Sequence, residues 1–191
     1  MNVPHPTPID PVRRRRSRLM LVGVFALFTL PFFAAALLHL SGWKPTDTRN
    51  RGELLSPMVQ LDDLQLVRAD GTPYAWAPYD RRWQIAVVAT PGCAQVCVDL
   101  IEGLDKVWQL QGRRADRLDV LWFGDVPAGA VPFRRFVPMQ QNVDLSARLP
   151  GLATQGRPTA YLIDPNGNVA LRYGADFDVA DLREDTARML K

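Results

Sequence analysis

Apolar residues fill one unbroken stretch near the N-terminus and recur in shorter, patterned runs farther along the chain. The stretch at 19–40 contains 22 residues and no Lys, Arg, Asp or Glu. At about 1.5 Å per residue, a helix of this length crosses a hydrocarbon core of roughly 30 Å. The sequence therefore predicts a basic arm at 1–18, a transmembrane anchor at 19–41 and a polar tether at 42–57.

Charge is distributed unequally on the two sides of this span. Five arginines precede it, at 13–16 and 18, whereas Lys44 is the first charged residue after it. Because positive residues are retained on the cytoplasmic side, we expect a single-pass inner-membrane protein with a cytoplasmic N-terminus and a periplasmic C-terminal domain. A cleaved signal peptide is the alternative, although its apolar core normally spans only about 7 to 15 residues.

Shorter patterns predict the elements of the domain at 58–191. Alternation in LQLVRADGTPYAWA predicts a strand pair around Asp70-Gly71, and the apolar runs at 83–90 and 118–125 predict strands buried on both faces. The segment between these two runs predicts a helix, and its inward face consists of Val96, Leu100, Leu104, Val107 and Leu110. Residues 126–157 show no clear pattern beyond one short helix.

Two further elements complete the domain. Apolar runs flank DPNGN at 164–168, which predicts a hairpin. Asp178 can cap the N-terminus of a helix that continues through Lys191, with Val179, Leu182 and Met189 facing inward. The order of strand pair, strand, helix, strand, hairpin and helix is that of an α/β thioredoxin-like fold, here with one N-terminal transmembrane helix.

Charge and histidine content exclude several functions. The net charge of +3 divides into +4 for residues 1–43 and −1 for residues 44–191. No Lys/Arg block with interleaved aromatic residues occurs in 44–191, so we expect no nucleic-acid partner. Both histidines, His5 and His39, precede the domain, and the acidic pairs at 62–63 and 184–185 are interpreted as solvated surface. Proton-transfer and hydrolytic catalysis therefore find no support.

The only two cysteines, Cys93 and Cys97, lie in ATPGCAQVC between a predicted buried strand and a predicted helix. Residues four apart on a helix have β-carbons about 5 to 6 Å apart, which is longer than the separation of about 3.8 Å in a relaxed disulfide. A bridge therefore requires Cys93 to leave helical geometry, and Pro91-Gly92 allows this. The helix N-terminus favours a thiolate, which predicts Cys93 as the attacking sulfur and Cys97 as the resolving one. A Cu(I) site on both thiolates, a static disulfide and two packed apolar residues are the alternatives.

Two segments carry a resemblance to a known family. WQIAVVATPGCAQVC and AYLIDPNGNV resemble the strand, C-x-x-x-C motif and late hairpin of the Sco/SenC group, membrane-anchored thioredoxin-fold proteins that help to build the copper centre of cytochrome c oxidase. The resemblance implies a membrane-tethered thiol–disulfide redox protein, an accessory factor in oxidase assembly. Its implied partners are an oxidase subunit or copper carrier and an exported thiol reductant. A non-catalytic scaffold with a permanent disulfide is the second interpretation.

The sequence departs from this group at the third copper ligand. Members bind copper through both cysteines and a histidine, and near Gly156, where that histidine would fall, the sequence reads QGRPTAYLID. The resemblance therefore implies thiol exchange with no required cofactor, and Cu(I) on Cys93 and Cys97 as an additional function.

The loop GRPT at 156–159 is similar to the loop before the late strand of thioredoxins, whose proline is cis and lies against the active-site sulfurs. This likeness predicts that Pro158 is a cis-proline that shapes the thiol surface, or else a plain strand-entry proline. Thr90 and Cys93 also match the T-x-x-C part of the peroxiredoxin pattern, but Ala86 stands where that pattern has a proline.

Overall fold

The chain forms two units, Met1–Thr48 and Arg49–Lys191. The computed structural model describes residues 11–42, 49–152 and 156–190. The first ten residues of the predicted arm, tether residues 43–48 and Lys191 therefore lie outside the described residues.

The described part of the first unit, residues 11–42, forms the helix α1 over Pro11–Leu40. Its segment Arg15–Leu40 is long and apolar enough to cross a membrane, which confirms the predicted N-terminal apolar helix as a candidate span. The helix begins earlier than the predicted boundary at 19, because the arginines that precede the apolar stretch are good helix formers.

The second unit is built on a six-stranded sheet. In order across the sheet, its strands are β1 (Glu53–Gln60), β8 (Asn168–Tyr173), β7 (Thr159–Ile163), β4 (Trp83–Val88), β5 (Leu118–Phe123) and β6 (Phe136–Met139). Strand β4 pairs in parallel with β5 and antiparallel with β7, and β5 pairs in parallel with β6. A separate ribbon joins β2 (Leu66–Val67) to β3 (Pro73–Tyr74), as predicted around Asp70-Gly71.

Three helices complete the unit: α2 (Ala94–Leu110), α3 (Val143–Arg148) and α4 (Val179–Met189). Alternate residues of β4 point to opposite faces, so Ile85 and Val87 join a core cluster with α2 and α4, whereas Ala86 joins a second cluster with α3 and the ribbon. Because helices and loops cover both faces, β4 and β5 read as continuous apolar runs in the sequence.

The predicted inward face of α2 is wrong in part. Leu100, Leu104 and Val107 are buried, but Val96 and Leu110 are 53% and 66% exposed. Cys97 and Ile101 occupy the buried face instead, because residues four apart lie on the same side of a helix as Leu100 and Leu104.

The boundary between tether and domain lies earlier than predicted. Residues 53–57 do not belong to a tether but form most of β1, which pairs with β8 from Glu53 opposite Arg172 to Gln60 opposite Asn168. Pro57 makes this segment resemble a tether in the sequence, but it lies in an edge strand, where proline is tolerated, and the register of that strand shifts between Leu54 and Val59.

Residues 126–157 contain one element that the sequence did not predict. The short helix expected there is α3, but β6 is an additional parallel strand at the other edge of the sheet. It contains Pro138, and proline is tolerated at an edge because its missing N–H is not required by a second neighbour.

The predicted hairpin and final helix are confirmed. The Asp164 carboxylate accepts hydrogen bonds from the backbone N–H groups of Asn166 and Asn168 and so closes the β7–β8 turn. Asp178 caps α4 by accepting from Ala180 N at 2.8 Å. The helix ends at Met189, which is 36% exposed, so of the three predicted inward residues Leu182 is the one fully buried.

Asp185 joins the start of this unit to its end, and its interpretation as solvated surface is wrong. It is 1% exposed, and its Oδ2 accepts hydrogen bonds from Arg51 N, Gly52 N and the Tyr173 hydroxyl at 2.8 to 2.9 Å. Burial, and next the hydrogen bond to Asp185, raise the pKa of Tyr173, which keeps this hydroxyl protonated as a donor. A side chain at Gly52 would meet the Tyr173 ring at 2.7 Å, so this close approach requires glycine.

We predict that Asp185→Ala lowers the free energy of unfolding by about 3 kcal/mol, because three donors and the Arg188 guanidinium lose a buried charged acceptor. The control is Asp181→Ala, which removes a partly exposed ion pair with Arg51 and should cost less than about 1 kcal/mol. Urea unfolding of the detergent-solubilised chain measures both values. Equal losses in the two variants would contradict the role assigned to Asp185.

Candidate functional site

A disulfide joins Cys93 and Cys97 where β4 gives way to α2. The Cα atoms are 5.4 Å apart, within the range that disulfides require. Cys93 holds the N-cap position of α2, and Cys97 lies in its first turn, as the sequence predicts. Cys93 keeps 7% of its surface exposed, whereas Cys97 keeps none, so an incoming group approaches the pair from the side of Cys93.

The backbone change that permits this bridge falls on different residues than expected. Cys93 itself has right-handed helical dihedrals, φ −72° and ψ −15°. The unusual conformations belong to its two neighbours, Gly92 at φ +85° and Ala94 at φ +31°. Glycine adopts positive φ at no steric cost, but alanine pays roughly 1 kcal/mol or more there, so the entry of α2 stores strain at Ala94.

The loop before β7 is tied to the cysteine segment by one hydroxyl group. Thr90 Oγ1 donates to the Arg157 carbonyl at 3.1 Å and accepts from Arg157 N at 3.0 Å. Gly156 N adds a bond to the Pro91 carbonyl at 3.3 Å. Thr90 therefore fixes the spacing between the two loops, and its hydroxyl proton is donated to the Arg157 carbonyl. The sequence pointed to Thr90 only as part of a T-x-x-C pattern.

The expectation of a cis bond at Pro158 is wrong. Within the described ranges the only cis peptide bond is Ser56–Pro57, so Arg157–Pro158 is trans. Gly156 has φ +68°, and this left-handed turn together with the Thr90 hydrogen bonds directs the chain into β7 without a cis bond. Pro158 is buried, and its position agrees with the plain strand-entry alternative.

Two concave surfaces flank the pair. One, here called the Asp125 pocket, has a volume of about 350 Å³ and contains Cys93 in its wall; its lining is Ala89, Thr90, Pro91, Gly92, Cys93, Ala94, Asp125, Pro127, Ala128 and Gln141. The other, the Pro158 groove, is about 200 Å³ and is lined by Val96, Asp99, Leu100, Pro158, Ala175, Phe177 and Val179. The structure thus brings Pro158 to the flank of α2, beside Val96, Asp99 and Leu100, and not into the pocket at Cys93.

Asp125 and Gln141 reach the Asp125 pocket from the ends of β5 and β6, and sequence reasoning missed both. The carboxyl ends of parallel strands meet at one edge of a sheet, so the residues after β5 face those after β4. Recognition of β6 as a parallel strand was needed to place Gln141 there. Among the described residues, no group of three or more His, Cys, Asp and Glu side chains could hold a metal ion.

A family model for transmembrane-like, thioredoxin-like proteins, C-terminal domain, matches residues 83–191, which contain the bridge, the Pro158 loop and α4. The chain belongs to this thioredoxin-like family. The predicted fold class is thereby confirmed, a mixed α/β thioredoxin-like fold with one N-terminal apolar helix. No curated protein matches the chain in sequence.

Solved structures share the fold at low sequence identity. A SCO1/SenC family lipoprotein from Bacillus anthracis is 17% identical, with a TM-score of 0.50 over 70% of this chain and 96% of that one. BsSco, described as a member of the Sco family of cytochrome c oxidase assembly proteins with a disulfide switch, is 12% identical, with a TM-score of 0.51 over 73% and 96%. Peroxiredoxin Q from Xanthomonas campestris is 18% identical, with a TM-score of 0.43 over 74% and 97%. These likenesses concern the fold alone.

We predict that Thr90→Val destabilises the oxidised chain by about 1 to 2 kcal/mol and accelerates reduction of the bridge by dithiothreitol, because Arg157 loses both hydrogen bonds to the hydroxyl. Thr90→Ser keeps the hydroxyl and serves as the control. Urea unfolding and a thiol-release time course measure the two effects. A Val variant that behaves like the Ser variant would show that the hydroxyl does not position the loop.

Proposed function

We propose that the chain is a membrane-anchored thiol–disulfide exchange protein in which Cys93 and Cys97 are the reacting pair. The observation that carries the proposal is the unequal burial of a bridge at the β4–α2 junction, with Cys93 in the wall of an open pocket and Cys97 fully enclosed. A pair used only to stabilise the fold would gain little from closing a five-residue loop.

The exchange proceeds through Cys93. A thiolate of a partner protein attacks Sγ of Cys93, the bridge breaks, and Cys97 leaves as the thiolate. The partner's second thiolate then attacks the mixed disulfide and releases Cys93. The partner dithiol is oxidised to a disulfide, and Cys93 and Cys97 receive its two electrons and two protons. The reverse sequence reduces a partner disulfide, and neither direction requires a cofactor.

The N-terminus of α2 supports the thiolate form of Cys93. Cys93 is the N-cap residue and makes no side-chain capping hydrogen bond, so its sulfur lies next to the positive end of the helix dipole. Such an environment lowers a thiol pKa and makes the thiolate a better leaving group. The first turn of α2 holds no acidic residue to oppose this effect.

The site is proposed to lie in the periplasm. The five arginines before the apolar stretch favour a cytoplasmic N-terminus. The domain of residues 49–191 would then lie on the periplasmic side of the inner membrane. That compartment is oxidising, so a cysteine pair there resides in the bridged state until an exported thiol reductant opens it.

The proposed role is in cytochrome c oxidase assembly, with an oxidase subunit or a copper carrier as the partner. The C-x-x-x-C motif after β4 and the β7–β8 hairpin support it through their resemblance to Sco/SenC proteins, as does the fold shared with BsSco, a Sco-family protein with a disulfide switch. The competing function is a scaffold that keeps the fold and binds partners with a permanent bridge.

We predict that Cys97→Ala accumulates mixed disulfides with partner proteins in cells, because the intermediate on Cys93 loses its resolving thiol. Cys93→Ala is the matched control and should accumulate few, since Cys97 is fully buried. Non-reducing electrophoresis detects the adducts, and equilibration of the wild type with glutathione gives its potential. No adduct with either variant and a potential below about −300 mV would establish the scaffold.

We further propose that the reduced pair binds Cu(I), since two thiolates form a soft two-coordinate site. Cys93 and Cys97 would hold the Cu(I) ion, and this ion would be the cargo delivered to a copper centre. The reduced chain should then retain one Cu(I) against a competing chelator, and Cys97→Ser should lose it. Loss of copper from the wild type under the same conditions would remove the metal function and leave thiol exchange intact.

A further inference from the structure

Seven arginines gather at the end of the sheet opposite the cysteines. They come from three segments that lead into β4, β5 and β6, and parallel strands begin at the same edge. We call this surface the basic end; its arginines are Arg81, Arg82, Arg113, Arg114, Arg117, Arg134 and Arg135. No linear block marks it in the sequence, because the seven residues are spread over 81–135.

Specific contacts hold the three segments together. Arg82 Nη1 and Arg135 Nη1 both donate to the carboxylate of Asp119, at 3.5 and 3.3 Å. Asp119 is 2% exposed and also accepts from the Tyr74 hydroxyl at 3.0 Å. Arg117 Nε donates to the Arg81 carbonyl at 3.4 Å. The arginines therefore form one continuous surface and not three separate loops.

The basic end carries uncompensated charge. Its acidic residues are Asp80, Asp116 and Asp119, so its formal charge is +4, whereas the rest of residues 44–191 carries −5. Arg81, Arg113 and Arg114 are exposed and form no ion pair with any residue that the structure describes. At the same edge of the sheet, Asp164 follows β7 beside the start of β4, so the excess positive charge belongs to the segments that lead into β4, β5 and β6 and not to the whole edge.

Apolar side chains project from the same surface. Tyr79, two residues before Arg81, is 99% exposed, and Leu110, at the last residue of α2, is 66% exposed. Arginines beside an exposed aromatic and an exposed leucine match the interfacial zone of a bilayer, which offers anionic headgroups above an apolar interior.

The chain enters the unit next to the helix that contacts this surface. Arg49, the first described residue of the unit, accepts a hydrogen bond at its carbonyl from Arg188 in the last turns of α4, and the Leu190 carbonyl that follows accepts from Arg117 of the basic end. Residues 43–48 connect the candidate span to Arg49, and so short a segment extends at most about 25 Å.

We propose that the basic end docks on the anionic surface of the bilayer that contains α1. Each arginine near such a surface strengthens attachment several-fold, and the gathering of seven of them at the starts of β4, β5 and β6 favours docking by that surface. Because β4 begins at the basic end and finishes before Cys93, docking turns the bridge away from the lipid, toward soluble partners or the extramembrane parts of larger ones.

The test places the full chain, one copy per lipid nanodisc, in phosphatidylcholine alone or mixed with phosphatidylglycerol. A fluorophore is attached at Tyr79→Cys or, as the matched control, at Ala180→Cys on the first turn of α4, with the native bridge kept oxidised. Headgroup-nitroxide lipids quench the label only when it lies at the membrane surface. We expect strong quenching at position 79 in anionic discs, weak quenching at 180, and loss of the difference in high salt.

Single charge removals make the test quantitative. Arg113→Gln should reduce the docked-to-undocked ratio roughly fivefold, whereas Arg183→Gln, on an exposed position of α4, should leave it unchanged. Equal quenching at positions 79 and 180 in anionic discs would overturn the proposal, as would quenching at 79 that is the same in neutral discs. One copy per disc excludes contact with a second chain, and neither outcome depends on thiol chemistry.

Discussion

The hydrogen bonding of β4 along both of its edges is the constraint on which the rest of the molecule depends. Parallel pairing with β5 requires a crossover, and α2 supplies it, so the chain must turn sharply just after Val88. Antiparallel pairing with β7 puts Thr159 opposite Val88 and so brings the preceding loop beside that turn. The cysteine segment therefore lies between the start of α2 and the loop before β7, to which Thr90 is hydrogen-bonded at Arg157.

Two buried carboxylates stabilise the ends of this frame in the same way. Asp119 and Asp185 each accept from a tyrosine hydroxyl and from arginine, and each connects segments far apart in sequence. Burial raises the pKa of both tyrosines, Tyr74 and Tyr173, so both remain donors. Because each buried carboxylate satisfies several donors at once, replacing either one would leave those donors without an acceptor.

Local signals in the sequence were sufficient for the central elements and for the position of the cysteines. The β-branched run at 83–88, the Asp178 cap and the DPNGN turn each specify a structure within a few residues. Edge strands were less predictable, because β1 and β6 each contain a proline that a central strand would not tolerate. The observed buried face of α2 differs from the predicted one because Cys97 is a core residue, whereas the sequence pattern considers it only for its chemistry.

The burial of Asp185, the trans bond at Pro158 and the basic end depend on contacts between distant segments, and no local pattern encodes them. The unequal burial of the two sulfurs also has a kinetic consequence. In the proposed exchange, a protein captured on Cys93 can be released by Cys97 one helical turn away, so the lifetime of the complex is an intramolecular property, independent of how much thiol surrounds it. In that proposed exchange, the rate at which the buried Cys97 reaches the mixed disulfide would set how long each complex lasts.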